Sequence, residues 1–189
     1  MVVRKSCGYK PRNEYTKKGK VNQRARRIEW EHLIPAENFG RQFSCWRDGD
    51  SKCVSSKGKA YKGRKCCTKV NKQYRLMQAD MHNLFPAIGE LNADRSNFRF
   101  DFELAQPKRY GECKFNVNFK QRRASVKEDI RGVIARDYLY FNQKYKMKLS
   151  KQELKKYQIW NKQYPADEWE IERNKRIAKM QGNLNTFIK

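Results

Sequence analysis

Two stretches of the chain combine side chains that could work on a phosphodiester. The first is Glu31-His32, at the end of IEWEH. A carboxylate offers hard oxygen to a small divalent cation. An imidazole, with an ordinary pKa of about 6.5, can take a proton from water near neutral pH. Neighbours on a regular strand point to opposite faces, so both reach one site only if the strand bends there, and Pro35 follows closely. The second stretch, residues 81–97, reads MHNLFPAIGELNADRSN and contains His82, Asn83, Asn92, Asp94, Arg95, Ser96 and Asn97. Asparagine can lend a neutral carbonyl oxygen to a cation that keeps several waters. Hydrolysis of a phosphodiester needs an activated water, a cation to neutralise developing charge, and stabilisation of the leaving oxygen. Oxygen donors favour Mg²⁺ or Ca²⁺ over zinc. Each stretch also has a purely structural explanation: a core histidine with a solvated glutamate, and asparagines at caps and turns.

The elements that must position these groups can be read from periodicity. Residues 28–36 alternate Ile28, Trp30 and His32 against Glu29 and Glu31, which predicts a strand ending at Pro35. Residues 1–27 lack periodic apolar positions and read as an irregular basic arm. Residues 47–65, rich in Gly, Ser and Lys, read as an exposed basic loop. A helix fits 70–82, whereas 84–97 holds Pro86, Gly89 and NADRSN and takes no element assignment. FRFDFEL and KFNVNF suit short strands. Val126, Ile130, Val133, Ile134, Tyr138, Phe141 and Tyr145 recur at helical spacing. Ser150 with Glu153, and Asp167 with Glu170 after Pro165, make capping boxes for two further helices. No internal repeat is present, so one α+β domain over 1–189, short strands plus several helices, is the economical reading.

Composition names the class of partner. Lys and Arg number 44 against 20 Asp and Glu, a net charge of +24. Residues 1–75 carry 21 basic and 6 acidic side chains, so the first half dominates the field. A polyanion such as a nucleic acid accounts for so large an excess. Aromatic residues at 13% argue against disorder despite that charge. No apolar run is long enough to span a membrane, so no membrane partner is expected. Residues 1–15 contain no apolar leader; an exported chain would have lost it, and Met1 would be an added residue. The six cysteines, at 7, 45, 53, 66, 67 and 113, suit three disulfides and an oxidising compartment. A zinc site is the rival, but no pair has C-x-x-C spacing and the only histidines are His32 and His82. Adjacent Cys66 and Cys67 cannot easily bond each other. Charge fits a nucleic-acid enzyme and a binding protein without catalysis equally well; the Glu31, His32 and Asn92 constellation fits only the enzyme.

The strings IEWEHLIPAENFG, RQFSCW, DMHNLFPAIGELNADRSNF, YGECKFNVNF, RGVIARDYLYF and ERNKRIAKMQGN run in this order over nearly the whole chain. Together they resemble the bacterial endonuclease I family, periplasmic or secreted non-specific nucleases of the ββα-metal superfamily. The resemblance implies a disulfide-stapled ββα-metal core acting as a monomer in the periplasm or outside the cell. It implies Mg²⁺, with Mn²⁺ or Ca²⁺ as alternatives, held by Glu31 and Asn92. It makes His32 the general base and Arg64, in KGRKCC, a phosphate-binding arginine, with Lys65 and Arg95 as further nucleic-acid contacts. His82 and Asn83 take structural roles. Attack by water on phosphorus would leave 5′-phosphates, and because the 2′-hydroxyl takes no part, DNA and RNA are both implied substrates. The family pattern pairs Cys7 with Cys113 and Cys45 with Cys67, while Cys53 and Cys66 would pin a 47–63 loop longer than the family's. Ile171 stands where relatives often carry a cysteine, so one family disulfide is missing.

Overall fold

The computed structural model describes residues 7–102 and 108–189. The alternation in IEWEH becomes strand β1, Ile28–His32, three residues short of Pro35. It pairs antiparallel with β2, Leu84–Ile88, in a register from Ile28↔Ile88 to His32↔Leu84. A proline lacks the N–H that a central ladder needs, yet Pro86 fits here because β2 has one strand neighbour among the described residues. Strands β3 (Arg99–Phe100), β4 (Asn116–Asn118) and β5 (Arg123–Ser125) form a second sheet in the order β3-β5-β4. The helices among the described residues are α1 (Ala36–Gly40), α2 (Ser44–Arg47), α3 (Arg64–Val70) and α4 (Lys72–Ala79). They continue with α5 (Gly89–Arg95), α6 (Glu128–Tyr145), α7 (Lys151–Gln163) and α8 (Glu168–Gln181). The expected α+β class holds. Within it, contacts separate two compact units, residues 1–32 with 84–130, and residues 33–83 with 131–189.

In the first unit α5 follows β2 without a break and packs on both strands, making a ββα element. Gly89, the first residue of α5, makes the approach possible. A Cβ there would sit 2.7 Å from the Arg24 carbonyl oxygen and 2.9 Å from the Glu29 carboxylate. Polar side chains on α5 also pin the N-terminal arm. Buried Glu90 accepts from the Tyr9 hydroxyl at 2.6 Å and from the backbone N–H groups of Arg12 and Asn13, both at 2.9 Å. Asp94 receives both Nε and Nη2 of Arg12 at 2.9 Å and the Tyr110 hydroxyl at 2.8 Å. The arm expected to be irregular therefore contains a 3-10 helix, Gln23–Arg26, and is tied further by the Cys7–Cys113 disulfide. Of the two strand-like strings, KFNVNF supplies β4. FRFDFEL supplies only the two-residue β3, and its last two positions lie outside the described residues.

The second unit has a helical core. Fully buried Phe141 of α6 meets Phe39 of α1 at 5.8 Å between ring centres, and Tyr138 stacks on Tyr157 of α7 at 4.2 Å. Arg136 and Glu170, both buried, pair through Nε–Oε1 at 2.7 Å, which removes the unpaired-charge penalty for each. The predicted boundaries hold at α7, where Ser150 and Glu153 form a complete capping box, and at α8, where Asp167 accepts from the Glu170 N–H at 2.8 Å. The helix expected over 70–82 is shorter: α4 starts after its Asn71 cap, and a 3-10 turn covers Met81–Asn83. Residues 51–65 are largely exposed, as expected of the basic loop, and are stapled by Cys45–Cys67 and Cys53–Cys66. All six cysteines are bonded in the three implied pairings, which leaves no thiolate for zinc. No helix among the described residues is long and apolar enough to cross a membrane.

Candidate active site

The ββα element brings Glu31 and Asn92 to one side. Strand alternation turns Glu29 and Glu31 to one face of β1 and the exposed Ile28 and Trp30 to the other. The glutamate face is the one that meets α5: Asn92 Nδ2 donates to Glu29 Oε2 at 3.2 Å, and Arg95 Nη1 donates to Glu31 Oε1 at 3.1 Å. Asn92 and Arg95, three residues apart, share a helix face and so reach the same strand together. Each contact leaves one oxygen over. With its amide nitrogen held by Glu29, Asn92 has its carbonyl oxygen left for another partner. With Oε1 held by Arg95, Glu31 keeps Oε2, which accepts no hydrogen bond among the described residues. No cluster of three His, Cys, Asp or Glu side chains occurs among those residues. Two oxygen donors with the remaining positions left to water suit Mg²⁺, which gives up its hydration reluctantly.

The electrostatics are uneven across this face. Burial pushes the Glu31 carboxyl above its ordinary range, and the Arg95 guanidinium opposes that rise. Burial also works against charge on Glu29, but hydrogen bonds from Arg24 and Arg27 outweigh it and hold Glu29 below the ordinary range. Glu29 is thus a fixed anion that orients Asn92, a role sequence reading missed although EWE places it two residues before Glu31.

Arg95 corrects an expectation. Read from sequence as a nucleic-acid contact, it is 1% exposed, its guanidinium lies 4.4 Å over the Phe100 ring, and Nη1 also donates to the His32 carbonyl at 2.7 Å. A guanidinium so enclosed does not meet a solvated phosphate; it positions Glu31 and the end of β1. His32 is half-buried at that end of β1, as Glu29 and Glu31 are, and its backbone pairs with Leu84 of β2. Asn83 secures the chain just beyond, accepting from the Ile34 N–H at 2.7 Å and donating to the Ile34 carbonyl at 3.1 Å. His82 is buried, with Nε2 3.1 Å from the Asn183 carbonyl oxygen, in keeping with a structural role. Arg64 and Lys65 are exposed in the first turn of α3 in the second unit. Arg64 Nε donates to Gln78 at 2.9 Å.

A ββα element carrying this donor pair can be compared with known proteins. The family model for endonuclease I matches residues 1–189. The chain belongs to the endonuclease I family. It is 50% identical over 184 residues to an extracellular deoxyribonuclease of Aeromonas hydrophila, covering 97% of this chain and 71% of that one. It is 47% identical to a periplasmic deoxyribonuclease of the same organism, covering 97% and 69%. An Endonuclease-1 of Buchnera aphidicola is 43% identical, covering 97% of this chain and 65% of its own. As an endonuclease I, the chain is a nuclease.

Proposed function

We propose that this endonuclease I is a Mg²⁺-dependent, non-specific endonuclease acting on DNA and RNA. The observation that supports this best is the pair of uncommitted oxygens, Glu31 Oε2 and Asn92 Oδ1, fixed by Arg95 and Glu29 on one side of the ββα element. A cation held there would neutralise charge developing on the phosphate and its 3′ leaving oxygen. His32 takes a proton from the attacking water. Its backbone carbonyl is held by Arg95 Nη1. Exposed Arg64 and Lys65 take backbone phosphates, contacts that carry no sequence information. Attack by water leaves a 5′-phosphate and a 3′-hydroxyl and needs no 2′-hydroxyl, so RNA is a substrate as well as DNA. The protein works as a monomer in the periplasm or outside the cell. Relatives named for those places and three disulfides support this, because cystines persist where the surroundings are oxidising. Mn²⁺ or Ca²⁺ would suit the same oxygen donors.

The test is cleavage of supercoiled plasmid and of a folded RNA with Mg²⁺ and with excess EDTA. Nicking and degradation of both substrates only with Mg²⁺ is the expected result. Plasmid retarded on the gel but intact with Mg²⁺ would leave a binding protein without catalysis. Undiminished cutting in EDTA would remove the metal from the account.

A further inference from the structure

The turn between β4 and β5 departs from ordinary turn chemistry. Turns favour Gly, Asn, Asp and Pro, yet here Asn118 is followed by Phe119, Lys120, Gln121 and Arg122. Asn118 fixes the turn, accepting from the Gln121 N–H at 2.9 Å and donating to the Gln121 side-chain oxygen at 2.9 Å. Arg122 holds φ at +55°, a left-handed conformation that a residue of its kind seldom adopts. Its guanidinium lies 5.6 Å from the centre of the Phe98 ring, and Nη2 donates to Asn97 Oδ1 at 3.0 Å. Phe98 meets Phe119 edge to face at 6.3 Å, and the Arg12 guanidinium lies 5.0 Å over the Phe119 ring. Two rings and two guanidinium groups thus interleave. Arg12 also pairs with Asp94, which ties the cluster to α5, the helix that carries Asn92. The cluster is open to solvent: Phe119 is 40% exposed, and Lys120 and Arg122 are exposed. Residues 114–127 carry five basic side chains and no acidic one.

We propose that the β4–β5 turn is a stacking site for unpaired bases of the nucleic-acid substrate, with Phe119 and the Arg122 guanidinium as its contact surfaces. This rests on the reading of the protein as a nuclease for DNA and RNA, and it names the form of strand that this surface takes. A lone exposed Phe would carry no such reading. A ring beside planar guanidinium groups and solvated positive charge is the combination that holds single strands, because bases stack on rings and guanidinium planes while cations follow the backbone. Every base has a π-face, so the contact tolerates any sequence. In a duplex those faces are covered by neighbouring pairs, so the turn distinguishes strand forms. The conformation of Arg122 points the same way: glycine would adopt that φ without strain, so what arginine adds at the position is its side chain. The bond to Asn97 holds the guanidinium in place, so little side-chain freedom is left to lose on binding.

The experiment measures binding of labelled phosphorothioate oligonucleotides, single-stranded and duplex, by anisotropy in EDTA, so that neither a metal nor cutting enters. Phe119→Ala should weaken single-strand binding about five- to a hundredfold, the range for one lost stack, with duplex affinity near that of the wild type. Phe119→Trp should recover the loss, whereas Phe119→Leu, which keeps apolar bulk against Phe98, should not. Arg122→Gly removes the guanidinium and accepts the positive φ. Its melting temperature should stay near the wild type's while single-strand affinity falls more than duplex affinity. Wild-type single-strand affinity in Phe119→Ala, or equal losses for the two strand forms, would overturn the proposal. Full recovery by Phe119→Leu would also overturn it, showing a packing role. If the wild-type protein fails to cut plasmid with Mg²⁺ while these differences appear, the stacking site stands and the nuclease mechanism falls.

Discussion

At the scale of single residues, the site depends on which atom each side chain has left to offer. Asn92 and Glu31 would be indifferent polar groups if Glu29 and Arg95 did not hold them; the holding decides that oxygen is presented. Arg95 is the sharpest case, because it joins Glu31, the His32 carbonyl and the Phe100 ring while almost fully buried. Groups that orient metal ligands commonly change activity or metal affinity about 10- to 100-fold when removed. Arg95→Met, which keeps apolar bulk over Phe100, is therefore expected to lower Mg²⁺-dependent cleavage within that range and to raise the Mg²⁺ concentration needed for half-maximal rate. An unchanged Mg²⁺ titration would show that Arg95 does not act through Glu31. Residue types and the family resemblance singled out Glu31, His32 and Asn92, and the structure sets Glu31 and Asn92 on one side of the ββα element. Sequence reading misplaced Arg95, because an arginine in NADRSN looks the same whether it faces solvent or a buried carboxylate.

At the scale of elements, sequence reading worked where a local signal carried the structure. Ser150 and Glu153 announced α7, and the spacing from Val126 to Tyr145 announced α6, which starts two residues later, at Glu128. The segment 84–95 was unreadable for the opposite reason. Pro86 and Gly89 are breakers locally, yet the first sits in a strand with one strand neighbour among the described residues and the second lets α5 close on β1, both consequences of tertiary approach. The second unit has its own element-level device, the cluster where the 3-10 turn, α6 and the end of α8 meet. Asp80 there accepts from the hydroxyls of Tyr145 at 2.6 Å and Tyr140 at 2.8 Å and from Gln181 at 2.9 Å. Burial works against its charge, but these donors and the His82 N–H hold its carboxyl below the ordinary value, so the stability it supplies is lost only as pH falls through that lowered value. His82 is lowered chiefly by burial, so its contribution is complete above an unfolded pKa of about 6.5 and is lost as pH falls below it. Asp137, raised well above its ordinary value by burial, acts in the opposite sense, favouring the folded state at low pH. From about pH 7 to about pH 5 the His82 and Asp137 contributions therefore oppose each other, and His82→Phe isolates the first. Its thermal melts, weaker overall, should gain on the wild type's as pH falls; an unchanged difference between the two would clear His82 of that sensitivity.

At the scale of the whole molecule, charge and disulfides define how the protein can live. A net charge of +24 opposes compaction and is offset in part by three cross-links, one closing a separation of 106 residues. The third, Cys53–Cys66, closes 13 residues and holds a loop bearing Lys57, Lys59 and Lys62. Cysteine number and charge were legible from composition, and the pairings came from family resemblance. The division into two compact units was not legible, because each is assembled from two distant segments and no composition boundary marks it. The same charge means that binding and cutting are separable. Affinity for a polyanion comes largely from phosphate contacts and weakens with salt, while hydrolysis, in the mechanism proposed, depends on a few groups on one ββα element.

The most direct test of this account is the His32→Ala protein assayed with Mg²⁺ on supercoiled plasmid, with its binding to the same DNA measured across a salt series. Cutting should fall by at least about a hundredfold, as loss of a general base requires, while affinity and its salt slope stay near those of the wild type. Plasmid cut at the wild-type rate by His32→Ala would contradict the assignment of the base and, with it, the mechanism proposed for this endonuclease I.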